Sequence, residues 1–386
     1  MEKAVIAVNR PFHSVLLANT LRRYVEEVDI YTSAPRRFFR GLEPSVQTHL
    51  VPSPFAIIGH LTRFRVPRKL FSLDLRIFDL EVAATMRSGE LLVGWAGMCQ
   101  YSARRAKRAG SRFVLDRACP YWDFQQAIVQ REAELIGLRP TATSTAGRNR
   151  MLEEYELADA ILVPSKYTAD SFPEHLQQKL VKAPLLGRCG FAKAVRTGRG
   201  KVFTLGVVGG DPLRKGYVYL LRAWKRIALP NAKLLLRTVP GFRGYPVLEE
   251  LLGGLTNVEF VEYVPNISEF YEHCDAFVLP SVDDGFGMAL IEAMANGLPC
   301  IATTNCGATE LLTDRQHALV IRPASDEDLA AAILELYQSE DLRLHLAFGA
   351  YRRAKEIVEA NLYDHAIVEL LSRVAEKRPT VVGTVA

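Results

Sequence analysis

The 386-residue sequence has no Cys-x-x-Cys pair, and its six cysteines (Cys99, Cys119, Cys189, Cys274, Cys300 and Cys306) are scattered. That pattern argues against a dithiol motif and leaves reduced thiols in a cytosolic protein as the expectation. No run approaches the ~20 apolar residues that a membrane span needs. The N-terminus opens directly on a strand, Ala4 to Val8, with no signal-peptide core ahead of it. The excess of basic over acidic residues is small, 48 against 43. It lacks the dense stripe and module signature of a nucleic-acid binder, so no nucleic-acid partner is expected. A mild net charge of +5 is compatible with an anionic substrate or an anionic membrane surface. What is present is 49% hydrophobic and 24% charged residues, the make-up of a soluble globular protein. The length suffices for two domains with full cores.

Strands and helices alternate from the start. Ala4–Val8, Val28–Tyr31, Leu91–Val93 and Phe113–Leu115 read as strands, and Val15–Glu26 as a helix with apolar residues at helical spacing. This alternation predicts a parallel, doubly wound sheet. A phrase recurs: Asp159-Ala160-Ile161-Leu162-Val163-Pro164-Ser165 and Asp275-Ala276-Phe277-Val278-Leu279-Pro280-Ser281. Two copies of Asp-Ala, strand, Pro-Ser argue for two similar Rossmann-like halves. Ala183 to Gly200, rich in glycine and basic residues, reads as the linker between them. Val202–Val208 opens the second half, followed by a helix Tyr217–Ile227, strands Lys233–Arg237 and Val258–Phe260, and a helix with Ser268 as N-cap. From Ser325 to about Lys377 the chain is helical. The expected domains are 1–190, 200–360 and a C-terminal helix and tail, 361–386.

One stretch carries chemistry. Ala276–Leu279 is a short buried strand, Asp283-Asp284-Gly285-Phe286-Gly287 a turn with two carboxylates, and Met288–Ala295 a helix closed by Gly297. The turn leaves N–H groups of Phe286, Gly287 and Met288 at a helix N-terminus, where an anion, typically a phosphate, is favoured. Glu292 lies roughly 7.5 Å further along the axis. That offset suits a carboxylate accepting from ribose hydroxyls while a diphosphate rests on the helix end. Asp284 stands where a sugar beyond the diphosphate would lie. A second turn, Gly209-Gly210-Asp211-Pro212-Leu213-Arg214-Lys215-Gly216, also enters a helix and carries two cations. It is neither Gly-x-Gly-x-x-Gly nor a Walker loop.

Asp284, seven residues and Glu292, with Gly285-Phe286-Gly287 between and Glu-Ala-Met-Ala-Asn-Gly-Leu-Pro following, resemble the paired-acid motif of retaining GT-B glycosyltransferases, family 4. The family's usual first acid is Glu; here it is Asp284. The resemblance implies two Rossmann-like domains facing a cleft, with the last helix, roughly Asn361 to Lys377, crossing back to the first. It implies a retaining transfer from a UDP- or GDP-sugar to a glycan, lipid-linked or small-molecule acceptor. In that frame Asp284 is the catalytic acid and holds the donor sugar hydroxyls, Gly285 to Met288 cradle the diphosphate, and Glu292 meets the ribose. Lys215 matches the family's diphosphate lysine, and backbone near Val264 would meet the nucleobase. The arginine often found six positions before that lysine is Gly209 here, and Arg214 is the substitute cation. Trp95 stands about where many relatives place a histidine. Lys215, Arg214 and the N–H groups can stabilise a departing diphosphate without a metal, so neither metal nor cofactor is expected.

On the first domain, His13 lies in the first strand–helix turn, at the sheet edge where ligands bind in this architecture. It reads either as a substrate contact or as a solvent-facing loop residue. Arg117, at a strand end, reads as a phosphate or acceptor contact, or as a structural partner of Asp116 or Asp123. Ala34 to Arg76 carries Arg36, Arg37, Arg40, Arg63, Arg65, Arg68, Lys69 and Arg76 with interleaved aromatics. This surface suits peripheral contact with an anionic membrane or a lipid-diphosphate acceptor, or is simply a solvated basic face. The resulting expectation is a cytoplasmic protein, peripheral at the inner face of a membrane if that contact is made. Two other readings stand beside transfer: a nucleotide-sugar-binding GT-B protein without transfer activity, and a sugar-nucleotide epimerase of the same fold.

Overall fold

The computed structural model describes residues 1–51, 68–87, 89–138, 145–186, 190–195, 202–238, 240–261 and 266–376. The first half runs β1 (Lys3–Ala7), α1 (Ser14–Leu21), β2 (Glu27–Thr32), β3 (Gln47–Leu50), α2 (Arg68–Thr85), β4 (Leu91–Trp95), α3 (Gln100–Arg108), β5 (Arg112–Asp116), α4 (Trp122–Leu135), α5 (Thr145–Leu157), β6 (Ala160–Val163), α6 (Lys166–Asp170), α7 (Glu174–Gln177) and β7 (Leu180–Lys182). Its seven strands form one parallel sheet in the order β3-β2-β1-β4-β5-β6-β7. β4 (Leu-Leu-Val-Gly-Trp) and β6 (Ala-Ile-Leu-Val) are apolar along their whole length, as a sheet covered on both faces requires. All of β4 and β6 is buried.

The second half runs β8 (Phe203–Val208), α8 (Tyr217–Ile227), β9 (Ala232–Arg237), α9 (Pro246–Leu252), β10 (Val258–Phe260), α10 (Ile267–Tyr271), β11 (Ala276–Leu279), α11 (Met288–Ala295), β12 (Cys300–Thr303), β13 (Leu319–Ile321), α12 (Asp326–Gln338), α13 (Glu340–Glu359) and α14 (Leu362–Glu376). Its six strands are also parallel, in the order β10-β9-β8-β11-β12-β13. Both sheets therefore reverse direction of growth after three strands, between β1 and β4 and between β8 and β11. Those two switch points are where such sheets take ligands.

The repeated phrase has a local cause. Asp275 N–H donates to Thr204 C=O and its carboxylate accepts from Thr204 N–H, both at 2.8 Å. Asp159 clasps Phe113 in the same way, again at 2.8 Å twice. Each aspartate zips the start of its strand to the neighbouring one. The two copies do not occupy equivalent places, however. β11 is the fourth strand of its sheet and central, whereas β6 is the sixth of its own. The halves are alike, but the phrase marks a shared way of starting a strand.

Two sequence boundaries shift. α1 ends at Leu21 instead of Glu26, because the chain turns back through Tyr24 N–H and Val25 N–H to Leu21 C=O before β2. The cap of α10 is Asn266, whose side chain accepts from Ser268 N–H at 3.2 Å; Ser268 lies inside the helix. In the linker, Ala192 N–H donates to Ala295 C=O at 3.1 Å and Tyr351 OH to Ala192 C=O at 2.9 Å, so this segment lies against the end of α11. α14 returns to the first sheet's side. Asp364 pairs with Arg23 at 2.6 Å and accepts from Thr20 Oγ1 at 3.0 Å, while Arg373 donates to Leu180 C=O at 3.0 Å. No described helix is long and apolar enough to cross a membrane.

Candidate active site

The turns after β8 and β11 leave adjacent strands at the second switch point and are laced together. Arg214 C=O accepts from Val282 N–H at 2.9 Å and from Asp283 N–H at 3.2 Å. Glycine is required where they touch. At Gly216, with φ +65°, a Cβ would overlap the Pro280 carbonyl oxygen. At Gly287, with φ +86°, it would overlap Cys306 Sγ. Both are left-handed positions that L side chains rarely adopt. The result is two helix starts, α8 and α11, opening side by side. Among the described residues, no acceptor is recorded for the N–H groups of Phe286, Gly287 and Met288. The Phe286 ring is an anchor: it is buried, and its C=O accepts from Ala308 N–H at 2.6 Å.

Lys215 and Asp284 form an ion pair at this mouth. Gly209 explains how the lysine gets there. A Cβ at Gly209 would stand 2.7 Å from Lys215 Cγ, so the missing side chain is the space in which the lysine stem lies. Glu292, further along α11, accepts from Tyr271 OH at 3.1 Å. Burial pushes its pKa up, with Tyr271 and the Arg237 charge pulling the other way.

Arg214 points elsewhere. Its Nε donates to Asp283 Oδ2 at 2.7 Å, and Asp283 is fully buried. The same carboxylate accepts from Gln125 Nε2 at 2.8 Å and from Tyr167 OH at 3.1 Å, both on the first domain. Of the two carboxylates in the turn, the sequence pattern assigns a role only to Asp284. The donors to Asp283 come from 158 and 116 residues away, and no local pattern marks them. Next to Asp283, Gly285 C=O accepts from Ser165 Oγ at 2.6 Å and Thr168 Oγ1 at 3.1 Å. A Cβ on Gly285 would overlap the Ala118 carbonyl oxygen. The motif turn is thus seated directly on the first domain.

Arg117 is buried and donates to Pro120 C=O at 2.9 Å and to Gln125 Oε1 at 3.2 Å. Neither Asp116 nor Asp123 takes it: Asp123 pairs with Arg148 at 2.6 Å, and Asp116 with His13 Nε2 at 2.8 Å. His13 is correspondingly not a solvent-facing loop residue. Its side chain is 7% exposed and its ring lies 5.0 Å from that of Trp95. Val264, Arg63 and Arg65 lie outside the described residues. The sequence does contain one Asp-x-Asp, Asp326-Glu327-Asp328. It heads α12, with Arg226 on Asp326 at 2.6 Å and Arg322 on Asp328 at 2.8 Å. Among the described residues no group of three or more His, Cys, Asp or Glu side chains could hold a metal ion.

Residues 202–339 match the family model described as glycosyl transferases group 1. An uncharacterized glycosyltransferase of Methanocaldococcus jannaschii is 29% identical over 191 residues, 48% of this chain and 52% of that protein. The N,N'-diacetylbacillosaminyl-diphospho-undecaprenol alpha-1,3-N-acetylgalactosaminyltransferase of Campylobacter jejuni is 32% identical over 109 residues, 28% of this chain and 29% of the relative. The chain thus spans about half or less of the curated relatives' own length. Among solved structures, HepE of Anabaena, in complex with UDP and glucose, superposes with a TM-score of 0.70 at 16% identity, covering 96% of this chain and all of its own. WaaG, a glycosyltransferase involved in lipopolysaccharide biosynthesis, superposes at 0.66 with 17% identity, covering 95% and 98%. The chain has the GT-B fold of these structures, and residues 202–339, in its second half, match the glycosyl transferases group 1 model.

Proposed function

We propose that the protein is a retaining, metal-independent glycosyltransferase that moves a sugar from a nucleotide diphosphate donor to a glycan or lipid-linked acceptor. The observation that carries this reading is the convergence at the second switch point. Two helix starts open side by side, Lys215 lies between them, Asp284 is paired to it, and Glu292 stands further along α11. Donor N–H groups at helix starts and an ammonium suit a diphosphate. A carboxylate on the same helix suits the ribose hydroxyls, which would replace Tyr271 as donors to Glu292.

As the bond to the sugar breaks, negative charge grows on the diphosphate. Lys215 and the N–H groups of Phe286 to Met288 are fixed where they can stabilise it. Binding of the diphosphate draws Lys215 away from Asp284, whose carboxylate then accepts from donor-sugar hydroxyls. Arg214, committed to Asp283, supports the turn and does not itself reach the phosphates. The acceptor enters from the first domain, past the loop of His13, and the basic residues of the 34–76 stretch meet the anionic carrier or membrane. Closure of the two domains excludes water and limits donor hydrolysis.

The test is calorimetric titration of UDP, GDP and ADP into the protein without metal, UDP first because HepE was solved with it. One clear binder fixes the base and directs a screen of that nucleotide's sugars, with the anomeric configuration of product read by proton NMR. No binding by any of the three, with or without magnesium, overturns the reading.

A further inference from the structure

α4 belongs to the first domain by sequence, yet one of its faces is built into the second. Gln125 at its start donates to Asp283 at 2.8 Å. Glu132, seven residues on and therefore on the same face, accepts from Tyr219 OH of α8 at 2.9 Å. Both Glu132 and Tyr219 are buried. Ile136, just past the helix, is buried in the second domain's core cluster, and Ile128 packs against that cluster. α8 is the helix that starts at Lys215-Gly216, and Asp283 immediately precedes Asp284. One helix of the first domain therefore contacts both the turn before α11, at Asp283, and the first turn of α8, at Tyr219.

We propose that Gln125 and Asp283 are positioning residues, through which the seating of α4 on the second domain sets the geometry of Lys215 and Asp284 for transfer. Asp283 is fully buried, and its three donors divide between the domains: Arg214 from one, Gln125 and Tyr167 from the other. The carboxylate has all three donors only when the domains are docked, and undocking removes the two that the first domain supplies. Gln125 is in turn held by Arg117 at the end of β5. The chain Arg117, Gln125, Asp283, Arg214 thus runs from the edge of the first sheet to the residue beside the site lysine. The transfer arm of this inference rests on the function proposed above; the docking arm does not.

The experiment uses the full chain with Gln125→Glu. This change keeps the side chain's shape and its acceptance from Arg117 but sets a carboxylate against Asp283. The expected results are faster amide hydrogen exchange across 122–135 and a kcat lowered by roughly ten- to a hundredfold, as for misplacement of reacting groups. UDP affinity by calorimetry should stay within about twofold, because the variant removes none of the groups proposed to contact the diphosphate. The double variant Gln125→Glu, Asp283→Asn removes the contact between two carboxylates but sets an amide N–H against Arg214 Nε, which donates to the same Asp283 oxygen, so it should recover part of the lost kcat. Tyr219→Phe, which removes only the Glu132 bond, should speed exchange in the same segment and guards against misfolding of the first variant. Wild-type exchange in both Gln125→Glu and Tyr219→Phe overturns the inference, whether or not the protein proves to be a transferase. So does a loss of UDP affinity that matches the loss of kcat, which would make Gln125 part of the nucleotide site.

Discussion

The Lys215 ammonium and the Asp284 carboxylate, 69 residues apart in the chain, neutralise each other at the mouth of the second sheet's switch point. On the proposed function, a bound diphosphate would compete with that carboxylate for the lysine. Asp284→Ala should therefore leave nucleotide affinity unchanged or tighter while turnover falls by at least roughly a hundredfold. Lys215→Ala should do the reverse to affinity. Calorimetry with UDP or GDP beside a turnover assay separates the two. Weaker binding by Asp284→Ala would show that the carboxylate helps hold the nucleotide itself.

Glu292 sits on α11 with one recorded side-chain partner, Tyr271. Glu292→Ala should weaken nucleotide binding by ~1.5–3 kcal/mol, the range for a hydrogen bond to a charged group. Tyr271→Phe should cost far less, since Tyr271 serves the carboxylate only until ribose arrives. Unchanged affinity in a folded Glu292→Ala protein removes this residue from the ribose.

Gly285→Ala tests the seat of the motif turn. Its Cβ would overlap the Ala118 carbonyl oxygen, and backbone cannot rotate away as a long side chain can. A loss of about 1–3 kcal/mol is expected, as for overpacking elsewhere. It should appear in chemical denaturation as a drop in stability, with faster proteolysis between the domains.

Glu154 supplies a pH test away from the site. It is fully buried and accepts from Gly97 N–H at 2.5 Å and Cys99 N–H at 3.0 Å. Burial, with Asp79 adding to it, pushes its pKa up from 4.5 to about 8. The folded state thus holds this proton more tightly than the unfolded state. Its stabilising contribution is fully present below pH 4.5 and is lost as pH rises through about 8. Wild-type Tm should fall across that window, and Glu154→Gln should flatten the fall. An equally steep fall in the variant would assign the dependence to other groups.

The sequence disclosed what is local. Strand–turn–helix units, the glycines of the 285–287 turn and the spacing from Asp284 to Glu292 are written in consecutive residues. β4, β6 and β11 are legible because they are buried and uniformly apolar, and α11 because its ends carry glycine, whereas polar β3 and three-residue β7 and β13 escape the sequence pattern. What stayed hidden depends on distant partners. Gly209 looked like a missing arginine, and only packing shows it as the space for the Lys215 stem. Arg214 looked like a spare cation, and only the fold shows its Nε on Asp283. Arg117 drew two readings, a phosphate or acceptor contact and an ion pair with a neighbouring aspartate, and its bonds to a backbone carbonyl and an amide oxygen remove the ion pair. His13 drew two readings, and burial against Asp116 and Trp95 removes the solvent-facing one.

The placement of α4 bears on how such proteins can be recombined. A chimera joined within 183–200 looks like a clean exchange of donor halves, since each sheet is complete on its own side. It would nonetheless separate Ile136 and Glu132 from the core and the tyrosine they were shaped against. Grafting a foreign second half onto this first half should therefore succeed only when the exposed face of the α4 segment is transplanted with it, or rewritten to match the newcomer's α8.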